Sequence, residues 1–98
     1  MKDLLLSKTT EFNKRLNSCG DRIVNLHRNG NCDKTILLFI DKQFDNMQEL
    51  LGNLDVAILN CYDDRDLLIS LIPYINETSF MIASLIGKVM EIEEVLQW

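Results

Sequence analysis

The 98-residue chain has one proline and four glycines, too little punctuation for the frequent turns that a β-sandwich or barrel requires. A single histidine, His27, and the absence of any glycine-rich phosphate loop leave few of the groups that catalysis uses. Cys19, Cys32 and Cys61 are an odd set without CxxC spacing, so neither a disulfide framework nor a zinc site is expected. No excess of positive charge exists either. The net charge is −5, which argues against nucleic acid as the main ligand, because a phosphate backbone rewards clustered Lys and Arg. Leu4-Leu5-Leu6 is far too short for a signal-peptide core, and the apolar stretch from Phe80 is cut by Lys88, so no membrane span is expected.

Hydrophobic residues are plentiful at 47%, enough for one packed domain over residues 1–98. Their spacing is helical. Leu5, Thr9, Phe12, Leu16, Cys19, Ile23 and Leu26 alternate steps of four and three, the pattern of helices meeting along a seam. This predicts a first helix over about 3–29, with a narrow apolar face suited to the outside of a bundle. Gly20 inside it weakens the isolated helix by about 1 kcal/mol relative to Ala. Asn29-Gly30 ends it, and Asp33 or Asn31 can cap the next. Over 33–61 the rule repeats through Leu37, Ile40, Phe44, Met47, Leu51, Leu54, Ile58 and Cys61. Ile36, Leu50 and Ala57 widen the stripe, so this helix should face two neighbours.

The third segment, 64–97, carries Leu68, Ile72, Ile75, Ser79, Ile82, Ile86, Val89 and Leu96. Pro73 kinks or breaks it, and the apolar phase running straight through favours a kink. Asp63, Asp64 and Asp66 sit where caps are needed, which accounts for them better than a metal loop does. The expected fold class is therefore all-α: an antiparallel three-helix bundle or extended helical hairpin arrangement with coiled-coil-type seams, in an oligomeric protein.

Two groups of residues point outward. Lys8, Arg15 and Arg22 recur every seven residues beside the first seam, where charge selects a coiled-coil partner. The matching flank of the second helix offers no carboxylates, so another chain is expected to answer the row, unless these cations simply cover the seam with their stems. Phe80 and Met81, with Tyr74, lie off the third seam, and Leu38 and Phe39 stray from the second. An apolar patch of this kind marks an interface with itself or with another helical chain, unless the bundle buries it. No cofactor or metal is implied, and His27 with Cys32 lacks an orienting third group for nucleophilic catalysis. The expected function is a non-enzymatic interaction module, a structural subunit or adaptor of a multiprotein complex. The alternative is a small acidic chaperone holding an amphipathic client helix, as secretion and export chaperones do. Unpaired thiols suit the cytoplasm.

Overall fold

The structure, a computed structural model, describes residues 1–97; Trp98, included above in the single domain, lies outside the described residues. Four helices follow one another: α1 (Lys2–Asn29), α2 (Lys34–Asn60), the short α3 (Arg65–Ser70) and α4 (Ile72–Leu96). No strand occurs among the described residues. α1, α2 and α4 pack pairwise around one core, with α2 antiparallel to the other two.

Each boundary has a local cause. Gly30 takes φ 76°, the left-handed conformation that a glycine adopts without a Cβ penalty, and so stops α1. Asp33 caps α2 by accepting the Thr35 amide at 2.7 Å. Asp64 caps α3 by accepting the amides of Asp66 at 3.0 Å and Leu67 at 3.2 Å, while Asp66 places a charge in the first turn.

The helical ladder is interrupted at Leu71, between α3 and α4, while the backbone stays right-handed through the junction. Leu71 keeps right-handed dihedrals, but its amide reaches back to Leu68 at 3.1 Å, a tightened last turn. Pro73 then falls in the first turn of α4, where its missing N–H costs no intrahelical bond. A ring there blocks the carbonyl four residues back, so the break precedes the proline.

Every expected α1 seam residue is buried, as are the α2 seam residues apart from half-buried Phe44. α1 is not peripheral, however: it touches both α2 and α4. Its thin stripe suffices because the Phe44 ring lies directly on Gly20, where an added Cβ would stand 2.9 Å from the ring. The α4 seam needs correcting. Ile75, Ile82 and Val89 are buried as expected, but Thr78 and Leu85 are buried in place of Ser79 and Ile86, which are half-buried. α4 meets two helices at once. Leu85 shares a groove with Met47 of α2, and Ile86 one with Cys19 of α1, so the buried stripe is wider than one seam.

Thr9 and Thr78 are the buried polar side chains. Each hydroxyl donates to its own helix, Thr9 Oγ1 to Leu6 O at 3.0 Å and Thr78 Oγ1 to Tyr74 O at 2.8 Å. Among the described residues no buried side-chain polar atom is left without a partner.

Candidate functional site

Of the first expected group, Lys8, Arg15 and Arg22, the two arginines lie along the α1 border with α4. Arg22 Nη1 meets Glu93 Oε1 of α4 at 3.1 Å, so its counter-ion comes from the same chain. This corrects the expectation that another chain answers it. A comparison with α2 alone could not find the pair, because this flank of α1 faces α4. Lys8 is exposed and Arg15 half-buried, with no ion pair among the described residues. Arg15 and Arg22 line a groove with Cys19, Ile86 and Met90, their stems lying along apolar surface.

The second group lies on α4, away from the core. Phe80 is 78% exposed, Tyr74 59% and Met81 43%. At about 100° per residue, Met81 and Tyr74 share one side of the helix and Phe80 is turned further outward. Met81 borders an open groove between α2 and α4, lined also by Gln43, Asn46, Met47, Ser84, Leu85 and Lys88. Further along the same junction lie Ile36, Phe39, Glu91 and Ile92. Leu38 is wet as well but sits toward the α1–α2 turn. Exposed Val95 extends this apolar surface, whereas exposed Met90 lies on the opposite flank, in the groove with Arg15 and Arg22 of α1.

α4 is unusually apolar for a helix with so much surface. The stretch Arg65–Leu96 contains an 18-residue window of mean hydropathy 1.3, of which 22% is buried. By length and composition such a stretch could cross a membrane, which the expectation of no span did not anticipate. Pro73, Glu77 and Lys88 interrupt it, and its core face is used for packing against α1 and α2.

Chemistry-bearing groups gather near the α1–α2 turn. His27 Nε2 lies 2.9 Å from Asp41 Oδ1 and 3.0 Å from Oδ2, supplying the third group that spacing had not revealed. Cys32 borders the same shallow groove. Its thiol is pushed up by burial and then by the neighbouring Asp33 carboxylate, the reverse of what activates a nucleophilic thiolate. Cys19 is also held up, first by burial and then by Glu93, with Arg22 acting in the opposite sense. Cys19 and Cys61 are buried free thiols, and no cluster of potential metal ligands occurs among the described residues. Of the C-terminal carboxylates, Glu93 is occupied by Arg22, while Glu91 and Glu94 are solvated. Comparison of the chain with protein-family models, with curated proteins and with solved structures gave no match.

Proposed function

We propose that this chain is a non-enzymatic protein–protein interaction module, a structural subunit or adaptor that acts through helix–helix packing. One observation carries the reading: a strongly apolar helix keeps Tyr74, Phe80, Met81 and Val95 in solvent while the core is already filled from its other side. Burying a side chain of this size stabilises by about 1.5–3 kcal/mol, so a partner covering several of them gains substantial affinity. Methionine and aromatic residues are the types that such surfaces favour. The raised thiol of Cys32 supports a non-catalytic role, because the thiolate is the nucleophilic form. Unpaired thiols fit an intracellular, reducing setting.

The open groove between α2 and α4 also suits capture of an amphipathic client helix, with Met47 and Met81 as adaptable contacts. The two readings differ in lifetime: a subunit stays in a stoichiometric complex, whereas a chaperone releases its client. Affinity purification at gentle salt should recover a stoichiometric protein with the wild type and lose it with Phe80→Ser, Met81→Ser. Equal recovery with both would refute the interface.

A further inference from the structure

We infer that the outer side of α4, with the adjoining side of α2, is self-complementary, and that a second copy of this chain docks there antiparallel. This rests on the interaction reading above and names one partner for the Tyr74 and Met81 side of that surface.

α4 carries a second series of helical steps beside its buried one. Tyr74, Glu77, Met81, Ser84, Lys88 and Glu91 follow the three–four alternation of a coiled-coil seam, and all six are exposed. Neither Glu77 nor Lys88 nor Glu91 takes part in an ion pair among the described residues. A twofold axis between Met81 and Ser84 satisfies the whole series at once. It sets Glu77 of each copy against Lys88 of the other, Met81 against Ser84, and the Tyr74 phenol against the Glu91 carboxylate. An isologous interface demands this reciprocity. A parallel pair in register would instead stack Glu77 on Glu77 and Lys88 on Lys88, so the charges select the antiparallel dimer.

The adjoining side of α2 is suited to such a dimer. Ile36, Phe39, Gln43, Asn46, Leu50 and Asn53 are all uncharged, whereas Asp41 is turned to His27 of α1. No row of carboxylates therefore opposes two copies, despite the net charge of −5. The rod is 51 Å long and 18 Å wide, an envelope long enough to hold the roughly 800 Å² that each partner buries in an ordinary stable complex. Glu77, Lys88 and Glu91 on that line disfavour lipid as the occupant.

Sedimentation velocity of the purified full-length chain over a dilution series tests this. The wild type should reach twice the 11.4 kDa chain mass. Glu77→Lys alone and Lys88→Glu alone each place like charges together twice, and each should weaken the dimer at least about tenfold. Mixing the two variants in equal amounts should restore it. One copy then presents lysine at both positions and the other glutamate. Unchanged circular dichroism keeps misfolding out of the comparison.

A monomeric wild type, or variants that stay dimeric, or a mixture that stays dissociated, would overturn self-docking. If the wild type is monomeric yet loses a stoichiometric cellular partner on Phe80→Ser, Met81→Ser, the interaction reading survives without the dimer. If it is monomeric, has no such partner and sediments with phosphatidylcholine vesicles, the face belongs to lipid and both readings fall.

Discussion

Gly20 and Gly52 both sit inside helices, but their surroundings give them opposite roles. Gly52 has open space where a Cβ would be, so Gly52→Ala should gain about 0.5–1 kcal/mol from the unfolded chain's lost freedom. At Gly20 a branched side chain must drive the Phe44 ring away, and Gly20→Val should lose about 1–3 kcal/mol in thermal melts. The sequence marks Gly20 as a weak point because helix propensity is local, while the ring that needs the gap comes from another helix. Thiols behave just as individually. Burial raises Cys19 above the 9.0 of a free thiol, so the folded state holds this proton more tightly than the unfolded chain. That contribution to stability is complete below pH 9.0 and is lost as pH rises through the higher folded value. Cys19→Ala should therefore flatten the alkaline slope of stability, measured by denaturant melts. At neutral pH a disulfide reagent should modify half-buried Cys32 first, though slowly because its thiol is held protonated, and Cys19 and Cys61 only as the protein unfolds.

At the level of the helices, the steps of three and four residues reveal where each element lies, because a helix must turn its apolar stripe to a neighbour. They reveal the complete buried face of α1 and nearly all of α2. They mislead at Thr78 and Leu85, since α4 contacts two helices and its apolar residues run almost all round, leaving several phases equally plausible. The interruption at Leu71 was also illegible: the apolar phase continues through Pro73, and only the backbone bond of Leu71 to Leu68 marks where the ladder changes. With Pro73 in the first turn of α4, Pro73→Ala should change stability by less than about 1 kcal/mol. A proline in a true helix interior would release about 3 kcal/mol on the same replacement. A large gain in melting temperature would show that α3 and α4 are one strained helix.

Across the whole molecule, three helices side by side make a rod rather than a ball. The radius of gyration is 15.7 Å, against about 13 Å for an ordinary domain of this length. Such a shape has too little interior to cover every apolar residue of α4, and the residues left exposed are the ones on which the proposed interaction role rests. The patch at Tyr74, Phe80 and Met81 was legible because residues off the seam cannot reach a core made by two other helices. The Arg22–Glu93 and His27–Asp41 pairs were not, because both join residues whose proximity depends on how the helices are arranged.

The outer face of α4, with Tyr74, Phe80 and Met81, lies outside the protein's own core. The most direct measurement is the melting temperature of Phe80→Ser, Met81→Ser, taken by circular dichroism at a dilution where the chain is monomeric. With Phe80 78% and Met81 43% exposed, the helical spectrum should be unchanged and the loss of stability below about 1 kcal/mol, a shift of only a few degrees. A loss of about 3 kcal/mol or more, the scale of emptied core positions, would mean that these side chains hold the monomer together and are not available to a partner.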